Sequence, residues 1–126
     1  MTAAYVDTSC IVATAFGESE AVRIVARLSR FDRVLSSPLL EAELWIALLR
    51  EGREITDAYS SAIDFVVVER PLSAEVRRVL DAGYVRSADC WHLATALYLA
   101  PRPRDLTFLT LDATQRKVAK ILGFRT

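Results

Sequence analysis

The feature that most constrains this chain is an alternation. Short apolar runs at Ala4-Tyr5-Val6, Val34-Leu35-Ser36, Phe65-Val66-Val67-Val68 and Leu106 to Leu111 recur between longer, helix-patterned stretches. The intervening segments predict helices over about Ser9 to Phe16, Glu18 to Arg30, Pro38 to Arg50 and Thr56 to Ile63. Further helices are predicted from Ser73 to Leu80, from Ser87 to about Leu99, and from Asp112 to Gly123. Ser73 and Ser87 suit helix caps, Pro38 suits a first turn, and Gly17, Gly52 and Gly83 suit helix ends. Val22, Val25, Ala26 and Leu28 are set against Arg23, Arg27 and Arg30, which predicts an amphipathic surface helix. Strands alternating with helices throughout argue an α/β fold with a mostly parallel sheet.

Composition narrows the class. At 126 residues the expectation is one domain spanning 1–126, and 52% hydrophobic content can build a core without disulfides or a structural metal. Cys10 and Cys90 match no metal-ligand spacing and no secreted disulfide framework, so two buried free thiols in a reducing cytosol are expected. The first residues carry no positive region ahead of an apolar stretch, as a signal peptide would, and the Cys90 to Pro101 run is too short to span a bilayer. A cytoplasmic protein with no membrane partner is the expectation.

Four acids stand in unusual places. Asp7 and Asp112 each fall where a strand gives way to a helix, and parallel strands bring both to one edge of the sheet. Either could be only a helix cap, Asp112 as half of a capping box with Gln115. On a helical wheel Glu43 falls between Leu39 and Ala47, with Ile46, Ala42 and Leu40 extending the same apolar arc. A carboxylate there is expensive unless paired, protonated or metal-bound; the structural alternative is a pair with Arg50. Asp89 opens an almost wholly apolar helix, where the macrodipole favours an acid. His92 shares its side and suits a hydrogen-bonded structural role, because the chain has no second His for a zinc site.

Clustered carboxylates repel unless a cation neutralises them, and oxygen ligands alone select Mg²⁺ or Mn²⁺ over zinc. Such a site suits phosphodiester hydrolysis. No phosphate loop, dinucleotide fingerprint or nucleophile elbow offers competing chemistry.

The blocks Tyr5-Val6-Asp7-Thr8-Ser9, Ser37-Pro38-Leu39-Leu40-Glu41-Ala42-Glu43-Leu44, Ala88-Asp89-Cys90-Trp91-His92-Leu93-Ala94-Thr95-Ala96 and Leu109-Thr110-Leu111-Asp112 resemble the four signature blocks of PIN-domain nucleases. Their order and full coverage of the chain look most like the VapC toxins of toxin–antitoxin pairs. The resemblance implies a three-layer α/β/α fold and a Mg²⁺- or Mn²⁺-dependent endoribonuclease. It also implies a homodimer neutralised by a cognate VapB-type antitoxin. Carried over by position, Asp7, Glu43, Asp89 and Asp112 are the acidic metal-binding quartet, with Thr8, Ser9 and Thr110 as supporting hydroxyls. The nearby Glu41 competes for the second block's register, which the wheel and Leu44 assign to Glu43.

A rival class is a Mg²⁺-binding signalling receiver domain. It needs a phospho-accepting Asp at the end of a central strand and a distal Lys. Taken as the middle strand, Val66-Val67-Val68-Glu69-Arg70 has no such Asp, and the only lysines are Lys117 and Lys120. A non-catalytic scaffold and a dehalogenase-type phosphatase are further rivals, the latter lacking a second Asp two residues after Asp7.

On the total alone, the zero net charge argues against nucleic acid. Setting the proposed quartet aside from the 16 acids leaves 12 against 16 bases, a remainder near +4. Of those bases 14 are Arg, whose planar fork suits phosphate contacts and base stacking. Arg50, Arg53, Arg86, Arg102, Arg104 and Arg116 are the RNA-binding candidates.

Overall fold

The computed structural model describes residues 2–126. Strands β1 (Ala3–Val6), β2 (Arg33–Ser36), β3 (Asp64–Phe65) and β4 (Thr107–Leu109) form one sheet in the order β3-β2-β1-β4. Every pairing is parallel, with Tyr5 opposite Leu35 on one side and Phe108 on the other. Around the sheet lie α1 (Thr8–Ala15), α2 (Ala21–Leu28), α3 (Pro38–Arg50), α4 (Ser73–Ala82), α5 (Ser87–Leu99) and α6 (Ala113–Leu122).

Successive strand residues point to opposite faces, and both faces are buried. Tyr5, Leu35 and Phe108 pack with Val79, Leu93, Leu97, Val118 and Leu122 from α4, α5 and α6. Ala4, Val6 and Leu109 pack with Ile11, Ile24, Leu40, Leu44 and Leu48 from α1, α2 and α3. The result is three layers, α/β/α. The Asp7 amide donates to the Leu109 carbonyl at 3.1 Å, carrying the β1–β4 ladder one step past the strand. That step fixes Asp7 at the carboxyl edge.

Local signals set several boundaries as expected. Ser37 Oγ accepts from the Leu39 amide ahead of Pro38, and Asp112 accepts from the Gln115 amide to start α6. Gly123 ends α6 at φ 105, a left-handed conformation that glycine adopts without penalty. Gly83 serves differently: a Cβ there would meet Val118 Cγ2 at 2.8 Å, so its lack of a side chain lets α4 and α6 approach.

Other expectations are corrected. Residues 56–63 form successive turns, with Ser60 and Ile63 amides reaching back three residues, and no α-helix. Only Ser60 in that segment is fully buried, so it lacks the apolar anchor that holds a short helix. The run Phe65 to Val68 is in the ladder only at its start, with Val66 donating once more to Ser36. Its partner β2 turns into α3 just there, leaving Val67 76% exposed. It is also an edge strand and not the middle one; β1, which leads into Asp7, is central. Strand β4 ends at Leu109, and α2 is shorter than its pattern. Ser73 and Ser87 are the first residues of α4 and α5; the cap positions fall to Leu72 and Arg86. On α2 the buried residue is Ile24, while Val22 and Val25 face outward. Both cysteines are buried and free. Among the described residues no helix is long and apolar enough to cross a membrane.

Candidate functional site

Asp7 precedes α1 but its carboxyl makes no cap bond there. It turns instead into a buried network and is only 3% exposed. Ser9 Oγ donates to Oδ1 at 2.6 Å and itself accepts from the Leu111 amide at 3.0 Å. Thr110 Oγ stands 2.8 Å from Asp7 Oδ2 and 2.8 Å from Gln115 Oε1, while accepting from the Asp112 amide at 3.0 Å. The Thr110 hydroxyl has one proton for two acceptors. Gln115 cannot reverse its amide to supply another, because its Nε2 donates to the Asp89 carbonyl at 3.2 Å. That single proton is shared between Asp7 Oδ2 and Gln115 Oε1. Burial pushes the Asp7 carboxyl above its ordinary range and the Asp89 charge adds to this, against the Ser9 and Thr110 hydrogen bonds and the field of His92.

Glu43 lies on α3, whose buried stripe is Leu40, Leu44 and Leu48. The predicted arc was therefore misplaced: Ile46 is 56% exposed and Glu43 flanks the stripe. Its partner is not Arg50, which is exposed. Thr8 Oγ donates to Glu43 Oε1 at 2.7 Å, and His92 Nε2 stands 3.2 Å from the same oxygen. The far ring nitrogen, Nδ1, lies 2.7 Å from the Tyr5 hydroxyl, which accepts from the Ser37 amide at 3.1 Å. Nε2 thus faces both Glu43 Oε1 and the Thr8 hydroxyl, the latter at 3.1 Å, while Nδ1 faces Tyr5. Hydrogen bonds from His92 and then Thr8 hold the Glu43 carboxyl below its ordinary range, against partial desolvation.

Asp89, in the first turn of α5, connects the remaining acids. Its carboxyl is pushed up by burial first, then by the charges of Asp112 and, more weakly, Glu43; Arg86 Nε, 3.8 Å from Oδ2, opposes the shift. Asp112 keeps its expected cap, Oδ1 accepting from the Gln115 amide at 2.7 Å. Asp7 and Asp112 therefore stand beyond the carboxyl ends of β1 and β4, and Asp89 lies within electrostatic range of Asp7, Asp112 and Glu43. Among the described residues no three His, Cys, Asp or Glu side chains stand close enough to hold a metal ion as placed. The donor chemistry nonetheless fits a hard cation: every acid offers oxygen, and the mutual charge raising Asp89 is what a cation relieves.

Sequence reasoning missed two residues here. Gln115, fully buried, was expected only as a capping-box partner, yet its side chain ties Thr110 to α5. Tyr5 was counted as strand, yet its hydroxyl holds His92. Of the predicted arginines, Arg116 donates to the Thr110 carbonyl at 2.7 Å and Arg86 faces Asp89. Arg53 donates to the Ala15 carbonyl and lies over the Phe16 ring, and Arg102 pairs with Asp105. Arg50 and Arg104 are exposed.

Compared with known protein families, residues 4–121 match the PIN domain model. No curated protein and no solved structure matches the chain.

Proposed function

The chain belongs to the PIN-domain family, a nuclease-type fold, and from that premise we propose that it is a Mg²⁺- or Mn²⁺-dependent endoribonuclease. What supports this reading is that Asp7 and Asp112 follow parallel strands at their carboxyl ends, with Asp89 close enough to feel the charges of Asp112 and Glu43. These four would hold the ion. The chemistry it supplies when bound is charge neutralisation and an acidified water at the phosphodiester.

The chain's own residues do the positioning. Ser9 and Thr110 fix both oxygens of Asp7, so that carboxyl has one orientation. Thr8 and His92 do the same for Glu43 Oε1, with Tyr5 behind the imidazole. Gln115 holds the β4–α6 junction against α5, which keeps Asp112 and Asp89 facing one site.

Within the same proposal the protein is a VapC-type toxin, cytoplasmic, dimeric and neutralised by a VapB-type antitoxin. Apolar side chains left outside, Val22 at 82% and Tyr84 at 85% exposure among them, are consistent with surfaces covered by partners. The receiver reading is disfavoured by the family match and by the burial of Asp7, although β1 does place an Asp after a central strand.

Incubation of total RNA with the protein and Mg²⁺ or Mn²⁺, beside Asp7→Asn, tests the activity. Discrete, metal-dependent cuts by the wild type alone are expected. Equal cutting by the variant, in a preparation free of contaminating nuclease, would overturn the assignment.

A further inference from the structure

A cavity of about 370 Å³ opens beside the acids at the β4 side of the sheet. Cys10 and Thr110 belong to its wall, and the charged side chains lining it are Arg23 and Arg27 of α2 with Arg116 and Lys120 of α6. No Asp or Glu lines it. Among the described residues none of these four cations has a carboxylate within 4 Å, and Thr126, which also lines the space, pairs with none of them. Four uncompensated cations converging from two helices on one concavity raise the local concentration of anions there.

The cavity shares a wall residue with the acidic site. Thr110 takes Arg116 on its carbonyl at 2.7 Å and meets Asp7 with its hydroxyl at 2.8 Å. A polynucleotide carries phosphates on both sides of the bond being cut. A strand reaching the acids therefore presents its neighbouring phosphates to whatever surface adjoins them.

We propose that this cavity, through Arg23, Arg27, Arg116 and Lys120, holds the backbone phosphates of the RNA strand next to the scissile bond. The inference rests on the ribonuclease reading above and adds a direction to it: the strand leaves the acids between α2 and α6. Three of the four cations were not among the arginines that sequence reasoning chose, because α2 and α6 are far apart in the chain and meet only in the fold.

The test uses a labelled, unstructured RNA oligonucleotide and the Asp7→Asn protein, so that binding is measured without cleavage. Replacing Arg23, Arg27 and Lys120 together by Ala should lower the slope of log affinity against log salt by about 2, at roughly 0.7 per single-strand phosphate. At about 50 mM salt, relative to about 1 M, that corresponds to roughly 400-fold weaker binding. The charge-matched Arg30→Ala, Arg77→Ala, Arg78→Ala variant, whose residues are all exposed and lie outside this cavity, should stay within about threefold. Equal losses in the two variants, or none in either, would overturn the cavity. A triple variant that keeps RNA affinity but no longer binds an acidic peptide would also overturn it, by assigning the space to a protein partner. Cleavage by the otherwise unmodified protein separates the two proposals. Cutting that persists with unchanged KM in the triple variant defeats the cavity alone, and absence of both cutting and binding in the wild type defeats the ribonuclease reading with it.

Discussion

Asp7 and Glu43 stand at the same edge of the sheet and lean on consecutive hydroxyl-bearing residues, yet their surroundings drive their protons in opposite directions. Asp7 is sealed in, has no cation in hydrogen-bond reach, and shares its hydroxyl donors with other acceptors. Desolvation therefore outweighs its hydrogen bonds and the carboxyl is pushed up. The Glu43 side chain remains 34% exposed and is hydrogen-bonded by both His92 and Thr8, so its carboxyl is pulled down. The balance of burial against hydrogen bonding sets the direction here: one acid is pushed toward its neutral form and the other toward its ionised form.

The largest test of that contrast is Asp7→Asn. The amide Oδ1 can accept from Ser9 and Nδ2 can donate to Thr110, which then has its own proton for Gln115. The network is satisfied without a titratable group. Removal of the charge should lower RNA cleavage roughly a thousandfold, the equivalent of about 4 kcal/mol of transition-state stabilisation. The same variant should be more stable at pH 7. A raised folded-state pKa gives stability that is fully present below the ordinary carboxylate value and lost as pH rises through the raised one. Thermal melts at pH 7 should show a gain of about 3–6 °C for a gain of about 1 kcal/mol in a chain of this size. A loss of stability would mean that the Asp7 carboxyl is not held above its ordinary range.

The Glu43 side is tested through the residue behind it. His92→Ala removes the N–H that orients Oε1 and should lower cleavage roughly 10–100-fold, the usual effect of losing a supporting partner. His92→Gln keeps a donor near the Nε2 position and should recover part of that loss. The discriminating measurement is the Mn²⁺ concentration at half-maximal cleavage, which should rise in the Ala variant and return toward normal in Gln. Unequal stability with equal metal dependence would reduce His92 to a packing residue.

The two sides also differ in how much of them the sequence made legible. Asp7, Asp112, Thr110 and Ser9 follow from strand ends and helix starts, which are decided by a few adjacent residues. The cap that Asp112 makes with Gln115 is local in the same way. Glu43 was found by a wheel whose centre was wrong, because the face α3 buries is chosen by the sheet and by α1, not by the helix's own apolar count. Gln115 and Tyr5 were beyond such reasoning. Their partners, Asp89 and His92, lie 26 and 87 residues away in the chain, and nothing in either residue's own neighbourhood names them. The failed helix at 56–63 and the shortened strand at 65–68 have one cause: propensity was present and a partner was not.

Tyr5→Phe probes the long-range link with less force. The ring stacks on Phe108 with centroids 5.4 Å apart, and that packing is retained. The lost hydroxyl leaves the Ser37 amide and His92 Nδ1 without their buried partner, at a cost of about 1–3 kcal/mol in stability. Urea titration should show this as a lower midpoint with an unchanged slope. Cleavage should fall less than in His92→Ala, since the imidazole stays in place and loses only its hydrogen bond to the Tyr5 hydroxyl.

The smallest expected effect is the one that isolates the sign of the contrast. Glu43→Gln keeps an acceptor for Thr8 and His92 and removes only the charge. A depressed folded-state pKa contributes stability above the ordinary carboxylate value and loses it as pH falls through the depressed one. The wild type should therefore exceed Glu43→Gln in stability at pH 7 by no more than about 0.2–1 kcal/mol, because solvent screens a partly exposed group. That excess should vanish below the ordinary carboxylate range. The Asp7→Asn difference runs the other way, growing in the variant's favour as pH rises. Paired melts of the three proteins between about pH 3 and 7 should thus give pH-dependent differences of opposite slope. Parallel slopes would mean that the two acids share one environment, and that the division between the sealed and the open half of the site does not exist.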